Sequence, residues 1–143
     1  MAEYTASIEI GAPPSDVFPF LFEPDRLRQW LGGFVESRPL TSGPVGVGTK
    51  SIDVLSEGGR EVRLETEIVV FEPGRRVEVA ITGGGMKAVS VYTLEGTERA
   101  LVTHRQTVEL GGMLKLMGPL VGRSIRQRMT SDLAGLKAAV EGG

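Results

Sequence analysis

The chain has 143 residues, a formal net charge of −2 and no cysteine. A chain of this length can bury a core of its own, so residues 1–143 are predicted to form a single domain. The missing cysteine excludes disulfides, thiolate metal ligands and a cysteine nucleophile, and the slightly acidic balance argues against a nucleic-acid partner.

The N-terminal residues indicate neither secretion nor membrane insertion. They lack the basic and apolar regions of a signal peptide. No apolar run approaches the roughly 20 residues that a membrane-spanning helix needs. We therefore expect a cytoplasmic protein with no integral membrane association.

The first elements are a strand and two short helices. Residues 4–10 alternate between apolar and polar side chains, which predicts a half-buried strand. Pro13 and Pro14 then end the strand and suit a helix start. Pro19 cannot donate a helical hydrogen bond, so this helix should be short or bent. A second short helix should begin at Pro24 and end at the glycine pair that follows Leu31.

Six further strands are predicted at residues 34–38, 49–56, 61–71, 76–82, 86–95 and 99–110. Short turns join most of them, so consecutive strands should pair antiparallel. The alternation is clearest in 61–71, where one face should carry Val62, Leu64, Thr66, Ile68 and Val70. In the strands on either side, Ile52 and Val54 should share a face, and Val77, Val79 and Ile81 should point inward.

The C-terminal region changes to a helical period. Apolar residues recur every three or four positions from Leu114 to Val140, which predicts a long helix that is kinked or begins at Gly118-Pro119. Arg123, Arg126 and Arg128 give this helix a basic side, which we interpret as a solvated face. The alternative is a contact with an anionic ligand head group or a lipid surface. The predicted order is β-α-α-β6-α, an α+β fold.

Four segments match a known family in order and spacing. They are IEIGAPPSDVF at residues 8–18, PDRLRQWL at 24–31, YTLEGT at 92–97 and LAGLK at 133–137. With them the chain resembles the SRPBCC (START/Bet v 1-like) superfamily, and within it proteins of the polyketide cyclase/dehydrase type. The resemblance implies the helix-grip fold, in which a curved antiparallel sheet of about seven strands wraps around the long C-terminal helix and leaves a cavity between them.

This fold carries several functions, so the resemblance leaves alternatives open. The leading hypothesis is binding of a hydrophobic small molecule, such as a lipid, an isoprenoid or a polyketide-like compound. The alternatives are a polyketide cyclase/dehydratase-type enzyme and a protein-interaction module without a ligand. Trp30 matches a cavity tryptophan of aromatase/cyclases, whereas residues 31–37 lack the tyrosine that follows it in those enzymes. The candidates for lining the cavity are Trp30, Phe34, Tyr92, His104, Gln106, Met117 and Val121.

His104 and Tyr92 are the weak candidates for proton transfer. His104 is the only histidine, and thus the only side chain whose unperturbed pKa lies near neutrality. It faces the cavity if Val102 and Val108 do, and it faces solvent if the strand has the opposite orientation. Tyr92 either points at a ligand or caps the core, and Trp30 either lines the cavity or fills the corner between the helices.

The sequence predicts no cofactor and contains no histidine or carboxylate cluster with metal-ligand spacing. A homodimer through an edge strand is a hypothesis that rests on the fold alone.

Overall fold

Seven antiparallel strands form one sheet in the computed structural model, which describes residues 2–112 and 118–142. The order across the sheet is β1-β7-β6-β5-β4-β3-β2, so β1 and β2 are its edges. The strands are β1 (Ala2–Ile10), β2 (Phe34–Pro39), β3 (Lys50–Glu57), β4 (Arg60–Glu72), β5 (Arg76–Gly83), β6 (Met86–Glu95) and β7 (Ala100–Leu110).

The helices lie between β1 and β2 and after β7. They are α1 (Pro14–Val17), α2 (Pro24–Trp30) and α3 (Gly118–Gly142), and a 3-10 helix at Phe18–Leu21 follows α1 directly. As the sequence predicts, α1 stops just before Pro19, which lacks the hydrogen-bond donor that an α-helix would need there. No helix in the described part of the chain combines the length and the apolar composition required to cross a membrane.

The strand predictions are confirmed to within a residue or two at their ends. Val70, however, lies on the outer face and not on the face predicted for it. Ile68 pairs with Val79 and Phe71 with Val77, whereas Val70 pairs with the outward-facing Glu78. The register shifts between residues 68 and 70, so the strand carries one extra residue there. Such a bulge reverses the alternation beyond it. Phe71 therefore takes the inward position predicted for Val70.

Two apolar clusters hold α3 against the inner face of the sheet. Near the C-terminal end of α3, Leu133 and Leu136 are buried with Trp30 and Ile10. One to two turns earlier, Met129 is buried with Tyr4 and other side chains of β1, β6 and β7. The helix approaches α2 so closely that a Cβ added at Gly135 would lie 3.2 Å from the backbone oxygen of Trp30.

The sheet curves around α3, so that the helix contacts strands near both edges of the sheet. While α3 packs along the edge strand β1, its Arg128 reaches the other side of the sheet. The Arg128 guanidinium donates hydrogen bonds to the Glu57 carboxylate at the end of β3 and to the Gly32 carbonyl oxygen after α2. The Asp132 carboxylate accepts the Gly32 N–H at 3.1 Å. Arg128 thus links α3 to β3 and to the turn after α2, while its side chain remains partly exposed to solvent.

Candidate functional site

The inner face of the central strands β4 and β5 is only partly covered. Val77 and Val102 are fully buried beneath the helices. Four apolar side chains that point to the same side from the central strands are only half-buried, namely Val62, Leu64, Val79 and Ile81. Since α3 packs on this face of the sheet, we expect their accessible surface to line a space between β3–β5 and α3. We call this space the groove.

A polar cluster, Ser37, Asp53, Ser51 and Thr66, lies on the inner face of β2, β3 and β4. One carboxylate oxygen of Asp53, Oδ1, accepts hydrogen bonds from the Ser37 hydroxyl at 2.7 Å and the Ser51 hydroxyl at 3.2 Å. The Ser51 and Thr66 hydroxyl oxygens are 2.6 Å apart. Burial raises the pKa of Asp53, and the two serine hydrogen bonds oppose this rise. The sequence analysis did not predict this cluster.

Asp53 was missed because its neighbours suggested the opposite orientation for β3. Ile52 and Val54 do share a face, as predicted, but the register puts that face outward. Asp53 pairs with Leu64, and Ser51 pairs with Thr66, both of which point inward from β4. The sequence contains one indirect signal. The alternation of β4 is clear, and the turn at Gly58-Gly59 fixes the register between β3 and β4, so the facing of β3 follows from that of β4.

His104 points inward but lies in the core. It is 6 % exposed, and its ring stacks on that of Tyr92 with centroids 4.1 Å apart. Its Nε2 atom is 3.3 Å from the Ser90 hydroxyl, which is also buried. Burial lowers the pKa of His104 to about 4, because the charged imidazolium would lose its hydration there. The imidazole is therefore neutral near pH 7.

Tyr92 is held in the same layer of the core. Burial raises the pKa of its phenol, and the negative charge of Asp132 adds to this effect. The Trp30 ring meets the Tyr92 ring edge-on at 6.2 Å. A phenol that is buried and hard to ionise is a poor proton donor to a ligand in the groove, so this geometry favours the core interpretation of Tyr92.

His104 makes acid stability a measurable property. The unfolded chain gains a proton near pH 6.5, whereas the folded protein gains it only near pH 4. The contribution of the neutral His104 to the free energy of unfolding is therefore complete above pH 6.5 and is lost as the pH falls towards 4. Between pH 7 and pH 5 we expect His104 to contribute a loss of about 2 kcal/mol in the free energy of unfolding. Urea unfolding at both pH values measures it.

The matched variant for this measurement is His104→Gln, which removes the titrating group. Burial also raises the pKa of Asp53 and Asp132, and raised carboxyl pKa values act in the opposite direction over this pH range. Both carboxyls remain in the variant, so the difference between the two proteins isolates His104. An equal pH dependence in both proteins would contradict a buried neutral imidazole.

The remaining lining candidates occupy three kinds of position. Trp30 and Phe34 are buried, and the Trp30 indole N–H donates to the Phe20 carbonyl oxygen at 2.7 Å. Trp30 thus fills the corner between the helices. Gln106 is half-buried and points inward from β7, and Val121 is half-buried near the start of α3. Met117 lies outside the described residues.

An open depression of about 300 Å³ lies at the end of the sheet where β5, β6 and β7 meet. Its lining includes the inward-facing Met86 and Leu110, together with Thr82, Lys87, Glu109 and three glycines of the adjoining turns.

The architecture, an antiparallel sheet gripping a long C-terminal helix, is the helix-grip fold. The sequence matches the family described as polyketide cyclase / dehydrase and lipid transport over residues 1–141. The chain belongs to this family. No curated protein matches it in sequence.

Solved structures agree with this fold. A Thermus thermophilus protein, TTHA0849, superposes with a TM-score of 0.78 at 22% identity, covering 99% of this chain and 98% of its own. An Arthrobacter aurescens protein gives 0.78 at 16% identity, with 99% and 87% covered. BexL, a di-domain ARO/CYC from the BE-7585A biosynthetic pathway, gives 0.81 at 16% identity, with 99% and 47% covered. These low identities show the fold alone.

Proposed function

We propose that the protein binds a hydrophobic small molecule in the groove between the inner face of the sheet and α3. The observation that carries the proposal is the set of half-buried apolar side chains in the middle of that face. Sites for small molecules are mostly apolar and contain a few polar groups that orient the ligand. The groove has this composition, with Val62, Leu64, Val79 and Ile81 beside Asp53 and the hydroxyl groups around it. The lipid-transport part of the family description supports the same function.

A cyclase-type enzyme is the second candidate, and Asp53 is the observation that favours it. Its carboxyl lies on the inner face and has a raised pKa, and a general acid needs a carboxyl that holds its proton more readily than usual. Asp53 suits this role better than His104 or Tyr92, because both rings are packed in the core. The ARO/CYC description of BexL is consistent with such chemistry on this fold.

The first test compares the native mass of the gently purified protein with its denatured mass. The binding proposal expects either a discrete apolar adduct or, in its absence, saturable uptake of the uncharged dye N-phenyl-1-naphthylamine. The absence of both results would overturn the proposal and favour an interaction module.

A matched pair of substitutions locates the dye. Val79→Phe adds an aromatic ring on the inner face of β5, whereas Val89→Phe adds the same ring on the outer face of the adjacent strand β6. Both valines are half-buried. If the groove is the site, we expect Val79→Phe to weaken dye binding by about tenfold or more, roughly 1.4 kcal/mol. Val89→Phe should change it little.

Fluorescence titration of the three proteins measures this, and thermal unfolding shows whether each variant is folded. Equal affinities in all three folded proteins would place the dye elsewhere.

A further inference from the structure

Asp53 has an acceptor atom that the described residues leave open. Both serine hydroxyls donate to Oδ1, and no side chain or backbone group in the described part of the chain bonds Oδ2. In the same residues, no fully buried side-chain oxygen or nitrogen lacks a hydrogen-bond partner. Oδ2 is therefore accessible, and because Asp53 points inward, it is accessible from the groove.

The negative charge of Asp53 is also unpaired within the described residues, since it takes part in none of their ion pairs. The adjacent inward positions are Ser51 and Leu55 along β3, with Ser37 and Leu64 across from it. None of these four side chains is basic. A half-buried carboxylate that no cation balances is costly unless its free oxygen is hydrogen-bonded.

The surrounding hydroxyls fix the direction of the carboxylate. Ser37 donates a hydrogen bond to Oδ1 from the edge strand β2. Ser51, two residues before Asp53 on β3, donates a second one and also contacts Thr66. With Oδ1 engaged on two sides, Oδ2 is presented to the groove in one orientation. A preorganised acceptor of this kind selects for a hydrogen-bond donor on a ligand.

We propose that Asp53, oriented by Ser37 and Ser51, binds a hydrogen-bond donor on the apolar ligand, in the simplest case a hydroxyl group, through Oδ2. The inference rests on the proposed binding function and narrows its ligand class. The groove takes an apolar ring or chain that carries a hydroxyl, and it discriminates against the same skeleton without a donor.

The test uses two probes with the same ring system, 2-naphthol and 2-methoxynaphthalene, of which only the first can donate a hydrogen bond. Their affinities are measured by calorimetry or by dye displacement near pH 7. The wild-type protein should prefer 2-naphthol by about tenfold, since a hydrogen bond to a charged group contributes strongly. In Asp53→Asn the amide oxygen can accept the serine hydrogen bonds, which turns the amide NH2 group towards the groove. The preference should then fall to about twofold or less.

The control is Glu65→Gln, which removes a carboxylate from the exposed outer face of the adjacent strand β4 and should leave the preference unchanged. Binding of 2-methoxynaphthalene to Asp53→Asn shows that this variant is folded with an intact groove. If Asp53→Asn keeps the wild-type preference, or if the wild type shows none, Asp53 does not accept a hydrogen bond from the ligand. The proposal that the groove binds apolar molecules is then unaffected. If neither probe binds the wild type, the binding function fails and the inference fails with it.

Discussion

Replacing Leu136 with alanine should lower the free energy of unfolding by about 3 kcal/mol, within the range of roughly 2–5 kcal/mol typical of buried leucines. Leu136 is fully buried in the cluster that joins α3 to Trp30 and to the sheet. The substitution removes apolar contacts and leaves a cavity between elements that have little freedom to close it. Urea unfolding followed by circular dichroism measures the change in midpoint.

The matched control is Leu101→Ala on the outer face of β7. Leu101 is 41% exposed, so its truncation should change stability by about 0.5 kcal/mol or less. Equal losses in the two variants would mean that α3 is not held by its apolar contacts with α2 and the sheet. Because α3 forms one wall of the groove, Leu136→Ala should also weaken dye uptake under conditions where part of the protein is unfolded.

Gly96→Ala should be the other strongly destabilising change, with a loss of about 3 kcal/mol or more. Gly96 lies in the β6–β7 turn with a φ of +117°, a backbone region that alanine rarely adopts. In addition, a Cβ at this position would overlap the Arg99 carbonyl oxygen. A backbone oxygen cannot move aside as a flexible side chain can, so the turn itself must distort.

Gly58→Ala separates these two effects. Gly58 also has a positive φ, +57°, but nothing lies within 4 Å of an added Cβ. Its substitution should cost only the conformational strain, about 1 kcal/mol. Thermal unfolding of both variants measures the difference. A Gly96→Ala protein as stable as Gly58→Ala would contradict the tight β6–β7 turn.

The two candidate functions now depend on the same residue. In a binding protein, Asp53 orients a ligand by accepting a hydrogen bond, whereas in an enzyme its carboxyl transfers a proton. His104 does not separate these functions, since its imidazole is buried and neutral in the core. A ligand identified by native mass spectrometry would separate them, because a substrate would be recovered chemically changed after incubation with wild type and unchanged after incubation with Asp53→Asn.

Much of the fold could be predicted because its signals are local. Alternation along the strands, glycines in the turns and the period of the last helix each depend on neighbouring residues. The early end of α1 likewise followed from Pro19 alone. The prediction for Val70 failed at a β-bulge, since one unpaired residue leaves no mark in an apolar run such as Ile68-Val69-Val70-Phe71.

By itself, the sequence determined the order of the elements, the strand positions to within a residue or two, and the family resemblance. Only the tertiary structure decided which faces of β3 and β7 point inward, because the side chains on both faces of these strands left the orientation open and register with the neighbouring strands settles it. It put His104, Tyr92 and Trp30 in the core, where burial keeps the imidazole neutral. It also brought Ser37, Asp53 and Thr66 from three different strands to one side of the groove. Side chains that are separated in sequence acquire a shared environment only when the sheet pairs and curves around α3.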